Sequence, residues 1–526
     1  MERPLRFLLL RLAHRLWPAW AAVLAVALAG CAAPPPLPKP PASYAIAPQP
    51  GSPFAAIESR IASEHGEAAS GFELLPRNEE ALLWRLALID SARHSLDLQY
   101  YVWFGDKAGQ LLMARVIAAA NRGVRVRLLF DDLNTLLHDM GSVELRDAAL
   151  AVIDRHPAIE IRVFNAWRSR DLLGRAAEGA GEFERLNRRM HNKQMIADNR
   201  VAIIGGRNIG DEYFGLNAGF NFHDLDVLGV GPVARQASSV FDRYWNSDWV
   251  RRIPLTDTAA APPRSAAESE ALAALDADAR ARLLLDGRHA WSGDLDHLSR
   301  ALKPGRSSVH TDSPSRAANV HNQVPEAFRA LMRSASKEVL ITNAYIIPDA
   351  NFIADLDELA QRGVRVRILT NSLASHDVPA VNSHYESWRK PILRTGAELY
   401  EFRPDPAIQA VVVEFPPFAG RFAGLHSKAM VIDRRRSFVG SMNLDPRSEI
   451  INAEMGVVID SEPLAAALAA EMERDMGPAN SWRVTLQPDG SLAWADNREP
   501  RATQPARSVM QRVENLFFKI FPPSLY

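Results

Sequence analysis

Three shortages in the sequence restrict what kind of protein it encodes. The 526 residues include a single cysteine, Cys31, so no disulfide can form within the chain. The formal net charge is −1 at pH 7, which argues against a general nucleic-acid binder, because such proteins carry a strongly basic domain. After residue 30 there is no apolar run long enough to span a bilayer. The length and ordinary apolar content predict a globular protein of two domains or two fused halves.

The first 31 residues have the pattern of an export signal. Basic residues precede an apolar run from Leu16 to Gly30, which is shorter than the roughly 20 residues that cross a bilayer comfortably. The run ends in Leu28-Ala29-Gly30-Cys31, which resembles a bacterial lipobox. The resemblance implies cleavage before Cys31 and lipidation of its thiol, and therefore a membrane-anchored lipoprotein of the cell envelope that faces the periplasm. An uncleaved membrane anchor is the alternative.

Two copies of one polar pattern organise the remaining chain. In the first copy, His191-Asn192-Lys193 is followed by four residues, Asp198, six further residues and Gly205-Gly206-Arg207-Asn208. The same spacing returns in His426-Ser427-Lys428, Asp433 and Gly440-Ser441-Met442-Asn443. A single His-x-Lys pair is weak evidence, because short polar patterns recur by chance. Two copies with matching internal spacing predict two half-sites that meet around one phosphate.

The residue types in the motifs suit phosphate chemistry without a metal. His and Lys lie two positions apart, so on a strand both side chains point to the same face. An ordinary imidazole titrates near pH ~6.5, so one ring can attack while the other carries a proton to the leaving group. The lysines supply positive charge, Asn208 and Asn443 supply amides, and no carboxylate cluster near the motifs suits a hard cation. The candidate substrate-binding residues are Lys193, Lys428, Arg207 and Ser441.

An acidic residue follows each motif in an apolar, strand-like segment: Asp226 in the first copy and Glu454 in the second. Such a carboxylate can hold an imidazole in one tautomer and stabilise its cationic form. Asp224 competes with Asp226, and phase with the strand makes Asp226 the better match to Glu454. Asp198 and Asp433 belong to the motifs and are site candidates, although their place at the predicted hairpin turns favours a structural role.

The patterns between the motifs predict an α/β fold. Helical and strand-like segments alternate, which is typical of a parallel sheet flanked by helices. The predicted segments are helices Asn78–His94 and Gln110–Asn121 and strands Leu96–Trp103 and Val124–Phe130. The hexapeptide Arg-Gly-Val-Arg-Val-Arg occurs at 122–127 and again at 362–367, which indicates a duplicated unit. We therefore expect two fused halves, each a mostly parallel sheet flanked by helices, in pseudo-two-fold relation around one shared active site.

The predicted domain boundaries follow from composition and from the repeat. A Pro- and Ala-rich segment at 32–55 predicts an extended tether without a packed core. The further expected units are a first half at 56–255, a connector at 256–310, a second half at 311–480 and a C-terminal tail at 481–526. In the tail, apolar residues between Val509 and Phe521 recur at helical spacing with basic residues among them. Such a helix can lie on an anionic membrane or dock on the protein's own core, and the sequence leaves both open.

At the two motifs the sequence resembles the phospholipase D superfamily, whose hallmark is a duplicated His-x-Lys-x4-Asp pattern. Further blocks, among them Leu369–Ala374, Trp388-Arg389-Lys390 and Asp445-Pro446-Arg447-Ser448, look like the third type of bacterial cardiolipin synthase. The resemblance implies a covalent phosphohistidine intermediate, one catalytic histidine from each half, a downstream acid for each histidine, and no metal or other cofactor. The chain departs from that type at its start, where a lipoprotein signal and a Pro-rich tether are added.

These observations predict a phosphatidyltransferase that makes cardiolipin from two phospholipids, with His191 favoured as nucleophile by resemblance. The expected partners are phosphatidylglycerol, phosphatidylethanolamine and a membrane surface reached through the lipid anchor; no nucleic acid is expected, and a monomer is acceptable. A phospholipase D that transfers the phosphatidyl group to water is the alternative, followed by a phosphodiesterase acting on nucleic acid. Transfer and hydrolysis use the same half-reactions, so the motif residues do not separate them.

Overall fold

The computed structural model of the chain describes residues 38–132, 150–168, 172–252, 287, 289–314, 322–496 and 499–521. Cys31, the signal segment before it and most of the expected connector lie outside these residues. The strands are β1 (Ser70–Leu75), β2 (Ser95–Tyr100), β3 (Arg125–Asp131), β4 (Ile159–Phe164), β5 (Gln194–Ala197), β6 (Val201–Gly205), β7 (Phe220–His223), β8 (Asp226–Val230), β9 (Val250–Arg252), β10 (Lys303–Thr311), β11 (Glu338–Asn343), β12 (Arg365–Asn371), β13 (Glu398–Phe402), β14 (Phe422–Leu425), β15 (Lys428–Ile432), β16 (Arg436–Gly440), β17 (Met455–Asp460), β18 (Ser481–Leu486) and β19 (Leu492–Ala495). The α-helices are α1 (Phe54–His65), α2 (Asn78–Ser91), α3 (Lys107–Asn121), α4 (Leu172–Gly181), α5 (Phe183–Asn187), α6 (Pro232–Trp245), α7 (Ser292–Ala301), α8 (Gln323–Arg333), α9 (Ala350–Gln361), α10 (Pro379–Tyr385), α11 (Arg389–Arg394), α12 (Glu462–Met476) and α13 (Val509–Phe518).

The two halves have the same strand order. Neighbouring strands run β9-β4-β3-β2-β5-β6-β8-β1 in the first half and β18-β13-β12-β11-β15-β16-β17-β10 in the second. The expected α/β class and the duplication are therefore confirmed. Strands β1 and β10 pair antiparallel, with Gly71 opposite Pro304, and so join the two sheets edge to edge.

Each sheet is mixed, whereas the sequence analysis expected a mostly parallel one. Parallel pairing is found in β2-β3-β4 and in β11-β12-β13. The alternating pattern had predicted β2 and β3 among these strands. The motif hairpins β5-β6 and β15-β16 add antiparallel strands beside β2 and β11. A hairpin connection is too short for a parallel crossover, so the motif strands had to pair antiparallel.

Equivalent helices α3 and α9 begin and end in the same way. Asp106 caps α3 by accepting a hydrogen bond from the Gly109 amide at 3.1 Å, and Asp349 caps α9 through the Phe352 amide at 2.7 Å. Both helices are followed by a glycine with positive φ, Gly123 at 93° and Gly363 at 74°. Glycine adopts this conformation without a steric penalty, so the helix can end and the next parallel strand can begin.

The described residues form four buried apolar clusters, and one of them, the central cluster, belongs to both halves. It contains Ile204 and Val227 of the first sheet with Val439 and Val457 of the second, packed together with helices α6 and α12. Separate apolar clusters cover the outer faces of the two sheets. Because the central core draws on both sheets, the halves are packed as one body and the two motifs are held at a fixed separation.

The second sheet crosses two of the expected domain boundaries, at residues 310/311 and 480/481. Strand β10 pairs with β17, so the second sheet already includes residues before 311, and β18 and β19 continue it past residue 480.

The Pro-rich segment is docked on the folded protein from residue 38 onward. Its backbone is held by polar groups of α6 and the turn that follows it: Ala45 N–H donates to Asp242 at 2.9 Å and Ser43 N–H to Asn246 at 3.0 Å. The described part of the Pro-rich segment forms neither helix nor strand from residue 38 to residue 49, so its amides and carbonyls are available to a neighbouring polar surface.

Candidate active site

Both His-x-Lys motifs lead into a hairpin whose turn is fixed by the motif aspartate. Asp198 and Asp433 have φ of 52° in the turns, and their carboxylates accept backbone hydrogen bonds from the segments that enter β2 and β11. The acids stand at the opposite ends of β5 and β15 from the histidines. A catalytic role for Asp198 or Asp433 is therefore contradicted, and the structural role favoured by their turn position agrees with the geometry.

Each motif histidine is attached to the other half of the protein through its backbone. The His191 N–H donates to the carbonyl of Ala453 at 2.8 Å, and the His426 N–H donates to the carbonyl of His223 at 2.8 Å. Next to the second contact, β7 of the first half and β14 of the second form a parallel pair. These contacts bring the amino ends of both motif strands to the interface between the halves.

The imidazole rings also bond across this interface. Nδ1 of His191 lies 2.8 Å from Oε2 of Glu454, and Nδ1 of His426 lies 2.6 Å from Oδ2 of Asp224. All four side chains are buried. A carboxylate at Nδ1 selects the tautomer with the proton on that nitrogen and so leaves Nε2 as the reactive ring atom.

The choice of Asp226 as the first-half acid was wrong. In the sheets, Gly205 pairs with Asp226 and the equivalent Gly440 pairs with Gly456. Counting back two residues from these partners reaches Asp224 in the first half and Glu454 in the second. Residues two apart share a strand face, so phase alone could not separate Asp224 from Asp226. The register of the neighbouring strand makes the distinction.

Asp226 belongs to a buried ion-pair network below the site. Its Oδ2 accepts hydrogen bonds from Arg85 at 2.9 Å and from Arg207 at 3.1 Å. Arg207 is fully buried and also donates to the carbonyl of Leu75 at 2.8 Å and to the side chain of Asn78 at 3.0 Å. Its guanidinium is occupied by these structural partners, so the assignment of Arg207 to substrate binding is contradicted.

Ser441 forms a hydrogen bond with Glu454, the acid of its own half. Its hydroxyl donates to Oε2 of Glu454 at 2.5 Å, the same oxygen that faces His191, and accepts from the Met455 amide at 3.1 Å. In the first half Gly206 stands at the corresponding position, and a Cβ there would lie 2.3 Å from Oδ1 of Asp224. The hydroxyl that Ser441 contributes therefore has no counterpart beside Asp224, and the two histidine–acid pairs differ.

The motif lysines lie beside the histidines. Nζ of Lys193 donates to the carbonyl of His191 at 2.6 Å, and Nζ of Lys428 donates to the carbonyl of His426. Burial lowers the pKa of Lys428 to about 8 and holds the pKa of Lys193 well below its usual value, although Asp224 and Glu454 act in the opposite direction. The two ammonium groups form the positive side of the site.

Burial and the neighbouring charges shift the pKa values of the two histidines and of their two acids unequally. Burial, with the charge of Lys428, lowers the pKa of His426 to about 3, and burial with Lys193 lowers the pKa of His191 well below its ordinary value. Burial raises the pKa of Glu454 to about 7. Burial also acts to raise the pKa of Asp224, but His426 and Lys428 outweigh it and the pKa lies below its ordinary value. Near neutral pH both rings are neutral and Asp224 is ionised.

The two motif asparagines have different surroundings. Asn208 donates to the Tyr213 hydroxyl at 2.9 Å and accepts from the Val102 amide at 3.3 Å. Oδ1 of Asn443 is buried and has no hydrogen-bond partner among the described residues. Buried polar atoms are rarely left unpaired, so this amide is a candidate contact for a bound molecule.

Sequence reasoning missed two tyrosines and an acid that enclose the histidines. Tyr101 packs edge-on against His191, with ring centroids 4.8 Å apart, and Tyr345 faces His426 in the same manner at 6.4 Å. The Tyr345 hydroxyl donates to Asp377 at 2.7 Å. Both tyrosines follow the carboxyl ends of parallel strands, where binding sites of α/β sheets usually form. This position in the sequence could have identified them as site residues. Within the described residues, no group of three His, Cys, Asp or Glu side chains is arranged to hold a metal.

Comparison with known proteins agrees with this geometry. The family described as cardiolipin synthase, PLD-like domain, matches residues 86–245 and 328–476, one segment in each half. Cardiolipin synthase C of Escherichia coli strain K12 is 36% identical over 473 residues, which cover 88% of this chain and 97% of that protein. A cardiolipin synthase of Geobacillus kaustophilus is 25% identical and covers 77% of this chain and 66% of its own length.

Among solved structures, phosphatidylserine synthase of Haemophilus influenzae matches with a TM-score of 0.53 at 14% identity, covering 80% of this chain and 91% of that one. This likeness concerns the fold. The family match extends over both halves, and each matched segment contains a complete His-x-Lys motif. The chain therefore belongs to the cardiolipin synthase family with PLD-like domains.

Proposed function

We propose that this protein is a phosphatidyltransferase that makes cardiolipin from two phospholipids through a phosphohistidine intermediate. Membership of the cardiolipin synthase family supports phospholipids as substrates. The observation that carries the proposal is the reciprocal pairing of His191 with Glu454 and of His426 with Asp224. One centre then contains two imidazoles, each oriented by a carboxylate of the opposite half, as a two-step transfer requires.

In the first step, Nε2 of His191 attacks the phosphorus of the donor lipid while Glu454 holds the proton at Nδ1. A P–N bond forms, the P–O bond to the headgroup breaks, and the departing oxygen takes a proton from Nε2 of His426. His426 enters this step as the imidazolium, because the anionic phosphate of the bound lipid and Asp224 both favour the charged ring. The products are a phosphatidyl-histidine and a free headgroup alcohol. The charges of Lys193 and Lys428 stabilise the phosphorane in a site from which water is largely excluded.

In the second step, the hydroxyl of the acceptor lipid gives its proton to His426 and its oxygen attacks the same phosphorus. The P–N bond breaks, the new phosphodiester leaves, and both histidines return to their starting state. Oδ1 of Asn443, which lacks a partner among the described residues, is placed in this scheme to accept a hydrogen bond from the second, unreacting hydroxyl of the acceptor's glycerol headgroup.

The assignment of nucleophile and acid rests on the two carboxylates. Asp224 has a lowered pKa and raises the proton affinity of His426, which suits a ring that must hold a proton for the leaving group. The pKa of Glu454 is raised to about 7, so His191 is less able to hold a second proton and is better suited to attack. We assign phosphatidylglycerol as acceptor and phosphatidylethanolamine as donor. The resemblance to the family suggests either phosphatidylethanolamine or a second phosphatidylglycerol as donor.

We further propose that the chain is a lipoprotein held at the periplasmic side of the envelope through Cys31. Its cardiolipin synthase relatives imply association with a membrane. Among the described residues, no helix has both the length and the apolar character to cross one. Mass spectrometry of the mature N-terminus tests the anchor: an acylated cysteine is expected as the first residue, and an unmodified Cys31 inside an intact signal segment would contradict it.

The function is tested with purified protein and defined lipids. Phosphatidylethanolamine and phosphatidylglycerol with different isotope labels are supplied together in detergent mixed micelles, and the products are identified by mass spectrometry. Cardiolipin carrying both labels, with release of ethanolamine, is expected. Phosphatidic acid as the main product would replace transfer by hydrolysis, and cardiolipin carrying the phosphatidylglycerol label alone would show that phosphatidylglycerol is also the donor.

A further inference from the structure

Helix α13 exposes its apolar side chains and turns polar ones toward the protein. Of the residues on its outer face, Val509 is 78% exposed, Leu516 66% and the following Ile520 77%. At about 100° of rotation per residue, the exposed apolar residues cover roughly 140° of the helix circumference. We call this face the apolar stripe. It consists of Val509, Met510, Val513, Leu516, Phe517, Ile520 and Phe521.

The inner face of α13 is fixed by hydrogen bonds. Gln511 and Asn515 are buried; Gln511 donates to the carbonyl of Leu373 at 2.5 Å, and Asn515 donates to Glu386 at 2.7 Å. Asn382 of α10 donates to Asn515 at 2.7 Å. These bonds set the rotation of the helix, so the apolar stripe faces outward as part of the folded structure. Docking of the stripe on the protein's own core is therefore contradicted, because that packing would have buried it.

The segment that binds α13 also borders the catalytic histidines. Arg507, just before the helix, donates to the carbonyls of Ala374 at 2.7 Å and His376 at 3.2 Å. The ring of His376 stacks on Tyr345 with centroids 5.1 Å apart, and Tyr345 in turn faces His426. Two side chains, His376 and Tyr345, therefore connect the residue just before α13 to the second motif, so the helix begins close to the site.

We propose that α13 inserts its apolar stripe into a phospholipid bilayer and thereby holds the active site at the membrane surface. The proposal rests on the proposed function, because the acceptor and donor are then bilayer lipids whose phosphates must reach the buried histidines. A contiguous exposed apolar face next to a site is typical of an interaction surface. The segment contains Arg507, Arg512 and Lys519 against Glu514. Lys519 pairs with Glu386 of the protein, and the exposed Arg512 at the border of the stripe supplies positive charge for a surface that contains anionic phosphatidylglycerol.

The bilayer fits this face better than a second copy of the chain. The stripe is apolar with charged residues at its borders, which is the pattern of a helix that lies in the membrane interface. An interface between two copies would bring the positive charges of both copies of the segment together, at a cost that a bilayer containing anionic lipids does not impose.

The test places an environment-sensitive fluorophore on single introduced cysteines of the full chain. Phe517→Cys and Val513→Cys report on the apolar stripe. The matched controls are two other exposed positions, Tyr44→Cys in the Pro-rich segment and Val152→Cys in the first half. Labelling of the parent chain measures the background from Cys31. With vesicles of phosphatidylethanolamine and phosphatidylglycerol, we expect a blue shift of emission at 513 and 517 and none at 44 and 152.

Two results would overturn the proposal. A blue shift at 517 that appears without lipid and grows with protein concentration would identify a second copy of the chain as the occupant of the stripe. The absence of any shift with vesicles would show that the stripe stays in water and does not enter the bilayer. As a second measurement, Leu516→Ser with Phe517→Ser should lower the ratio of cardiolipin formed on vesicles to that formed in mixed micelles by about tenfold or more. Cardiolipin formation by the parent in micelles without a shift at 517 would refute the membrane role alone, whereas its absence would refute the proposed function.

Discussion

Nδ1 of His191 and Oε2 of Glu454 lie 2.8 Å apart, although 263 residues separate them in the chain. The reverse contact, between His426 and Asp224, spans 202 residues. Each imidazole is thus oriented by an acid that its own half does not contain. Neither half by itself holds a complete site, so duplication alone would not have produced one; the packing of the halves was required.

Replacement of either motif histidine should abolish turnover in a folded protein. His191→Ala removes the proposed nucleophile and His426→Ala the proposed acid, and loss of one acid or base alone lowers rates by ~10²–10⁴-fold. The measurement is cardiolipin formation in mixed micelles, with His65→Ala as control, because His65 is exposed at the end of α1. Near-normal activity of either variant would refute the paired site.

Trapping the intermediate decides which histidine attacks. With a donor lipid labelled in its phosphate and no acceptor, label should accumulate on His191 and should be absent from the His191→Ala protein. Label on His426 would reverse the two roles while leaving the paired mechanism intact. The analysis requires peptide mass spectrometry under mildly basic conditions.

Replacement by asparagine should affect Asp224 and Asp226 differently, lowering activity at the first and stability at the second. Asp224→Asn should lower activity on the order of 10²–10⁴-fold with little change in thermal stability, because it removes the carboxylate that stabilises protonated His426. Asp226→Asn should instead destabilise the fold by roughly 3 kcal/mol or more, because it leaves Arg85 and Arg207 buried without their counter-charge.

This pair separates the observed acid from the one that the sequence suggested. Thermal unfolding and cardiolipin formation are measured on both variants at one temperature below their transitions. An active Asp224→Asn protein together with a stable but inactive Asp226→Asn protein would restore Asp226 as the catalytic acid.

The dependence of kcat/KM on pH should be bell-shaped. Glu454 must be ionised to hold the Nδ1 proton of His191, and its pKa is about 7, so activity should rise as the pH increases through that value. Lys428 must be charged, and its pKa is about 8, so activity should fall again at higher pH. Glu454→Gln keeps a hydrogen-bond acceptor but cannot titrate. This variant should have a lower overall rate, and its pH profile should lack the rise on the acidic side. An unchanged acidic limb in that variant would assign it to another group.

Activity should survive removal of divalent metals. The positive charge opposite the phosphate comes from Lys193 and Lys428, which are part of the chain and do not dissociate. Cardiolipin formation is measured before and after dialysis against a chelator, with Lys428→Met as the control that removes a charge of the protein itself. Complete loss with chelator and recovery on adding Mg²⁺ or Ca²⁺ would refute this account.

Local patterns in the sequence were sufficient for much of this protein. The duplication, both His-x-Lys motifs and the structural turns at Asp198 and Asp433 could be identified from spacing, because a hairpin turn and a strand face depend on residues close in the chain. Helix α2 begins at Asn78 as predicted, and the strands at β2 and β3 lie within a few residues of their predicted bounds. Chemistry that depends on residue type, two imidazoles with two ammonium groups, was likewise available from the sequence.

What the sequence left open, or led us to misassign, depends on contacts between distant segments. Asp224 and Asp226 have the same strand phase, and only the pairing of Gly205 across the sheet shows which of them reaches His426. Arg207 stands inside a motif, yet its partners come from Asp226 and from the turn before α2, so it is structural. The exposure of the apolar stripe of α13 likewise depends on contacts between distant segments. Its spacing is local, but which face is buried was decided by hydrogen bonds to a loop more than 130 residues earlier, because burial is a property of the packed chain.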